Sequence, residues 1–399
     1  MIRMKSATLA LAPALALGFG CGTATTNEGT GGALDPGAPT RAANPGLCAP
    51  PTAFSFALCT CEDLTQVGLL KVGRGGSGDG SVGVNGSSAV ANASEVSGSW
   101  VTGKDWSAAT GARIGGSLRS GANLKAAGAL WVGKDLAVKE NLTGAGLLTV
   151  GGDLRVGGND LFLGARQIAG GRGAFDAPAA PPCGCDAQTL FDVAGAVDEA
   201  SSKNDNAAHA ISSGTDLSIG VQRLVLDTGR YYFTGVHNIG AGVLDIRGNV
   251  AIYLDGSLDE IGAQAIKLES GATLDLYVSG AVRLIGFSPL GDRQSPSSFR
   301  LFIGGSDRVS VGAGLQEFFG SIYAPTADLA FAGVTVVWGS LFAKQVVDAG
   351  VLTINHGGAI PTCTPPVNVP PATGATPPPV QTPPPVQEPM PAPTPIVVQ

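Results

Sequence analysis

From Val82 to about Phe162 apolar residues come in pairs two apart, and the pair recurs every six residues. The clearest run is Leu130/Val132, Leu136/Val138, Leu142/Gly144, Leu148/Val150 and Leu154/Val156, with weaker copies in phase before it at Val82/Val84, Trp100/Thr102, Trp106/Ala108, Ala112/Ile114, Leu118/Ser120 and Leu124/Ala126. A residue and its i+2 neighbour share one face of a strand, so each hexad predicts a short strand with two inward side chains. A second period of eighteen lies over the first: Ile114-Gly115-Gly116, Val132-Gly133-Lys134 and Val150-Gly151-Gly152 repeat at that spacing, as do Asn123, Asn141 and Asn159. Three hexads per coil, stacked coil on coil, predict a three-sided β-solenoid over about 64–170. The bulky Leu at the first place of each pair points to a right-handed coil.

The pattern stops over 171–215. Pro178, Pro181 and Pro182 lead to Cys183-Gly184-Cys185. Asp186 offers an N-cap, and Leu190, Val193, Ala194 and Val197 have helical spacing, which predicts a helix over 187–203 on the side of the solenoid or over an open end. Period-two strands return over 216–360 at wider intervals, at Leu224/Leu226, Leu244/Ile246, Ile252/Leu254, Leu274/Leu276/Val278, Leu301/Ile303, Val309/Val311 and Leu329/Phe331. The expected class is therefore all-β: a right-handed parallel β-helix in two segments with one short helical insertion.

Composition fits this. Sixty glycines and 14% charged residues suit short strands turned by Gly, and a net charge of −7 with no basic run argues against nucleic acid. Residues 1–21 read as a signal segment, with Arg3 and Lys5 before the apolar stretch Ala7 to Gly18. It ends in Leu17-Gly18-Phe19-Gly20-Cys21, which resembles a bacterial lipobox with Leu17 one place early. That resemblance implies lipidation of Cys21, and Gly22 after it implies the outer membrane. Residues 22–47 have too few large apolar side chains to fold and read as a tether, followed by a Cys-containing cap at 48–63. Residues 361–399 form a Pro-rich tail expected to be disordered, with polyproline character and roughly 100 Å of reach. With Cys21 lipidated, Cys48, Cys59, Cys61, Cys183, Cys185 and Cys363 are an even set for disulfides, pairing open. Zinc on the two C-x-C pairs is the rival reading, but zinc thiolates usually stand two or more residues apart.

Two phrase sets carry resemblances. The Val-Gly-x-Asp-Leu repeats over 64–170 resemble bactofilin-type polymer-forming β-helix proteins, which implies possible self-association. Asp245-Ile246-Arg247-Gly248-Asn249 through Gly256, Leu274-Asp275-Leu276-Tyr277-Val278, Ser321-Ile322-Tyr323-Ala324-Pro325 and Gly339-Ser340-Leu341-Phe342-Ala343, with Cys183-Gly184-Cys185-Asp186 and Asn204-Asp205-Asn206, resemble an uncharacterised β-helix domain. That domain occurs in myxobacterial lipoproteins and pilus-associated surface proteins. The chain departs from it at Thr228-Gly229-Arg230-Tyr231, where relatives carry Cys-Gly, and at Asn355-His356-Gly357, where they carry His-Tyr-Asp. The resemblance implies a fold and a surface location, not a reaction.

Several motifs mimic chemistry. Gly98 to Asp105 and Gly128 to Asp135 copy a phosphate loop but place Asp where a hydroxyl must hold magnesium. Gly75-Gly76-Ser77-Gly78-Asp79 approaches a calcium nonapeptide once, with its Asp one place early. The column Ser81, Ser99, Ser117, Asp135 and Asp153 reads as solvated turns or as a cation or sugar contact. Asn123, Asn141 and Asn159 read as an amide ladder. His209, His237 and His356 sit in no catalytic phrase. Asp255, Asp259, Glu260, Asp275, Arg283, Asp292 and Arg293 are raw material for a glycosidase only if the fold gathers them. The expectation is a non-catalytic surface lipoprotein with no cofactor or metal, scaffolding or adhesive in role. Its partners are the membrane through its lipid, polysaccharide, a surface protein, or its own copies. A carbohydrate-binding module and then a polysaccharide-active enzyme are the alternatives.

Overall fold

The computed structural model describes residues 54–75, 78–175, 181–212, 214, 216–217, 223–237, 243–259, 266–284, 291–311 and 315–357. The signal and tether, Cys21, Cys48, Cys363 and the Pro-rich tail lie outside these residues. The described residues form a parallel β-solenoid of about twelve turns with a single α-helix among them. The hexad pairs face inward: Leu118, Leu124, Leu136, Val138 and Leu142 are each 0 to 1% exposed. The eighteen-residue period holds as strict register, with Leu118 on Leu136 and Leu136 on Leu154. Glycine marks corners where coils touch. A Cβ on Gly133 would lie 2.3 Å from the Gly115 carbonyl oxygen.

Spatial order is not chain order. One face carries, from end to end, Gly229–Phe233, Asn249–Leu254, Thr273–Val278, Phe299–Ile303, the start of Ser321–Phe331 and the start of Leu341–Asp348. Next on that face comes Leu58–Thr60, followed by Val82–Val84, Trp100–Thr102, Leu118–Ser120, Leu136–Val138, Leu154–Val156 and Arg172–Gly173. The first strand of the chain thus stacks on its last complete coil, and two segments met as separate in sequence wind as one stack. Leu58 registers on Leu341, Leu64 on Val346, and Leu69 on Val351. The joint is one whole coil on another: Leu58–Thr60 and Leu64–Gln66 lie on Leu341–Asp348, and Leu69–Arg74 lies on Val351–His356. Residues 58–63 are therefore solenoid rather than the cap expected at 48–63. Their inward pair, Leu58 and Thr60, makes a rung like any other.

Backbone bonds close this seam. The Leu341 N–H donates to Ala57 O and the Cys61 N–H to Ala343 O, both at 2.9 Å. The Val67 N–H donates to Asp348 O at 2.8 Å. Inside, Asp348 registers on Gln66 and is buried, so desolvation raises its carboxyl pKa. At the corner, His356 lies between Phe54 and Gly80. Its Nε2 is 3.3 Å from Phe54 O, and the Gly80 N–H faces Nδ1 at 3.5 Å. That pairing suits a neutral ring protonated on Nε2. A Cβ on Gly78 would meet the imidazole at 2.1 Å, so Gly is required there.

Both outer ends are closed by polar groups. In the last long strand, Asp160–Ile168, the inward positions over Leu142 and Leu148 hold Asp160 and Arg166, paired at 2.5 Å. Arg166 also donates to the Phe162 carbonyl and covers its ring. Inward charge on a terminal strand blocks further stacking. At the other end Asn206 imitates a strand: its side chain accepts from the Tyr232 N–H at 3.0 Å and donates to Tyr232 O at 2.7 Å. The Asp205 carboxylate accepts from the Arg230 N–H at 2.7 Å.

Burial depresses the His356 pKa below its ordinary 6.5, against smaller opposing effects of Phe54 O and Asp79. The unfolded chain then binds the extra proton more readily, so the stability contributed by His356 is whole above pH 6.5 and is lost as pH falls through the depressed value. Urea unfolding at pH 7.5 and 5.5 is expected to show a smaller loss of midpoint in His356→Gln than in the native chain. An equal loss in both would contradict this role.

Candidate functional site: a strapped aromatic column and two open grooves

Outward positions of a solenoid strand normally face water. On the face described above they carry Tyr232, Tyr253, Tyr277, Phe302, Tyr323, Phe342 and Cys59 in one registered column. Tyr253 and Tyr277 stack at 4.7 Å between centroids, and Tyr277 and Phe302 at 4.6 Å. The column is buried because the chain between the two segments runs back over it. Phe175 lies over Arg119. Pro182 and Cys183 lie over Gly83, where a Cβ would come within 3.1 to 3.3 Å of Cys183 Sγ, Pro182 Cβ and Cys59 Sγ. The Asn85 side chain holds the Cys183 backbone by both its N–H and C=O, each at 2.9 Å. Phe191 packs on Tyr277 and Phe302, and its N–H donates to the Tyr323 hydroxyl at 2.9 Å.

The helix of this strap, α1 (Val193–Ser202), begins later than the sequence suggested. Its N-cap is Asp192, whose side chain accepts from the Gly195 N–H. Asp186 instead closes a turn, its carbonyl accepting from the N–H groups of Thr189 and Leu190. The aromatic column draws Leu190 and Phe191 out of helical phase. Val193, Ala196, Val197 and Ala200 are the buried positions, and Ala194 faces out. α1 lies along the side of the solenoid, against 229–233, 249–254 and 273–278, and not over an end. Beneath it Asp275 and Arg300 form a buried two-point pair at 2.5 and 2.6 Å. The Tyr277 hydroxyl is held well above its ordinary pKa, first by burial and then by the Asp275 charge.

Four cysteines fasten the strap: Cys59–Cys183 and Cys61–Cys185 are disulfides. Of the carboxylates and arginines considered for catalysis, Asp259 and Arg283 stand opposite each other in the register of neighbouring strands. Asp275 pairs with Arg300. Asp255 accepts from the Tyr232 hydroxyl at 3.0 Å, and Arg293 stacks on Trp338. Glu260 and the side chain of Asp259 lie outside the described residues, as does the side chain of His237. His209 lies beside Tyr231. The motif mimics are occupied structurally. Asp79 caps the N–H and hydroxyl of Ser81 at 2.9 and 2.7 Å, while Asp105 and Asp135 are ladder rungs.

Two ladders run up the first segment. In the first, Ser81 Oγ accepts from the Ser99 N–H, Ser99 Oγ from Ser117, Ser117 Oγ from Asp135, Asp135 from Asp153, and Asp153 from Gly171. Asp153 is held below the usual carboxylate range by the Gly171 N–H and then by Arg155. Each oxygen caps the next corner. In the second, Asn123 Nδ2 donates to Asp105, Asn141 to Asn123 at 2.9 Å, and Asn159 to Asn141 at 3.2 Å. Each amide spends one N–H on the rung below, which leaves one per rung outside the ladder. The amides line a groove of about 610 Å³ with Lys125 and Thr143. A second groove of about 620 Å³, lined by Ala89, Ala91, Ala109, Ala127 and Ala145, flanks the same face and shares Lys125.

Residues 185–361 match a family whose description is "Domain of unknown function (DUF7305)". The match runs from the strap's last cysteine past the final strand and covers a little under half of the chain. It identifies the strap helix with the second segment as an uncharacterised β-helix domain. No curated protein and no solved structure matches the chain.

The two disulfides interleave in sequence, offset by two residues, each spanning 124 residues. The first to close removes chain entropy worth ~4–5 kcal/mol, and the second then closes only a loop of a few residues. Replacing either pair by serine is expected to cost far less than half of the loss from replacing both, which is at least the ~4–5 kcal/mol of the first closure. Denaturant unfolding of the three variants checks this. Equal, additive losses would contradict it.

Proposed function

We propose that the protein is an exported lipoprotein of the outer membrane or cell surface, anchored through Cys21, and that its solenoid is a non-catalytic scaffold or adhesive surface. The observation that carries this reading is the pair of disulfides clasping the strap, since paired thiols persist in oxidising compartments. The resemblance of Leu17 to Cys21 to a lipobox and of the second segment to β-helix domains of myxobacterial lipoproteins supports the same location. The scaffold role draws support from ladders spent on corner caps and from carboxylates engaged in separate structural pairs. The ends, closed by Asp160, Arg166, Asp205 and Asn206, weigh against a bactofilin-like polymer grown by simple end-to-end stacking.

A second reading, a carbohydrate-binding module, rests on the amide groove. Its outward N–H groups repeat once per coil, about 4.8 Å apart, a spacing close to one sugar ring of an extended glycan.

Mass spectrometry of the mature chain with membrane fractionation tests the first reading. A diacylated N-terminal Cys21, and release of Cys21→Ser into the soluble fraction, are expected. An unmodified N-terminus cut elsewhere would contradict it. Saturable binding on a glycan array, weakened several-fold by Asn141→Ala, would instead favour the second.

A further inference from the structure

Among the described residues, the solenoid has four terminal edges if its two segments are considered apart. Two are closed: the far edge of the first segment by inward Asp160 and Arg166, and the far edge of the second by Asp205 and Asn206. The other two are bare and complementary, and they meet at the seam. Leu58–Thr60, Leu64–Gln66 and Leu69–Arg74 form one edge, Leu341–Asp348 and Val351–His356 the other. Nothing in that pairing requires both edges to come from one chain. Hydrogen bonds such as Leu341 N–H to Ala57 O and Cys61 N–H to Ala343 O join strands nearly three hundred residues apart. A joint of this kind is heterologous, so exchange between copies would build rings or head-to-tail chains.

The strap decides which copy fills the joint. Its part before Cys185 is fixed to the first segment through Cys59, Cys61 and Asn85. Its part from Phe191 to Asn206 is fixed to the second segment through Tyr323, Phe302, Tyr277 and Tyr232. Only 186–190, itself a hydrogen-bonded turn, crosses the seam between these anchors. A tether this short gives the chain's own second segment an effective concentration that no free copy matches. Without the clasp the strap can lift as far back as Phe175, a tether roughly three times longer. The advantage then falls about fivefold from tether length alone, and further as the turn loosens.

We propose that the seam is an interaction surface for a second copy of this chain, and that the two disulfides keep it intramolecular. With the cysteines unpaired, the second segment and strap of one copy seat on the first segment of another. This holds whether or not the chain is lipid-anchored.

The test traps the exchange. Two full-length chains are made, both with Cys21, Cys48 and Cys363 replaced by serine. One also carries Cys59→Ser and Cys61→Ser, the other Cys183→Ser and Cys185→Ser, so neither can clasp itself. They are unfolded, refolded together under oxidising conditions, and run on non-reducing gels with mass mapping of any disulfide. The expected product is a covalent dimer joined from Cys183 of one chain to Cys59 of the other. Its yield should rise with concentration, at least tenfold above that of the chains refolded apart and then mixed. A parent with all four cysteines is expected to stay monomeric by light scattering. If both chains fold, by circular dichroism, and no Cys59–Cys183 link forms, the proposal is overturned. It is equally overturned if they fail to fold alone and mixing does not rescue them. Rescue with the mapped link would support it.

Discussion

Every strand here needs a parallel neighbour above and below, and that need shapes the molecule. Backbone N–H and C=O groups of a solenoid point along its axis, so an unpaired coil is an open edge. The first rung of this chain, Leu58–Thr60, acquires its lower neighbour only when the last complete coil, near Leu341, has been made. The seam between these two coils is where those hydrogen bonds are made. His356, Asp348 and Gln66 gather there, and the interior is less purely apolar than in the regular coils above.

The return path follows from the same constraint. A chain that winds up from the middle must travel back to start again at the far end. It does so over the face whose outward positions in the second segment are aromatic rather than polar. Burying a registered column of six aromatic rings turns a connecting segment into part of the core. The two disulfides then fix that connection on the segment that needs the joint. The ladders of Ser, Asp and Asn act locally, each side chain capping the next corner of the first segment. Among the described residues, the amide groove and the small-residue groove beside it stay open on this segment.

Much of this was legible in the chain. The hexads gave the coil, and the eighteen-residue period gave register that holds from Trp100 to Leu154. Both are local, repeated signals set by side-chain alternation. The seam was not legible, because Leu58/Thr60 and Leu341/Ala343 present the same inward pair as any other rung. Partners far apart in sequence leave no mark on either strand. A signal for the strap did exist. Two Cys-x-Cys pairs fit two segments running side by side in register, and aromatic residues at the outward places of Tyr253, Tyr277 and Tyr323 fit a covered face. The helix start was misplaced because Asp186 and Asp192 are equally good caps locally, and only the aromatic column tells them apart.

Amide hydrogen exchange across the seam tests the central claim most directly. The account predicts that peptides containing Leu58–Thr60 and Leu341–Ala343 are protected as strongly as the interior rung Leu136–Val138. Fast exchange in both, at the rate of an exposed edge strand, would mean that the two segments do not join, and would contradict it.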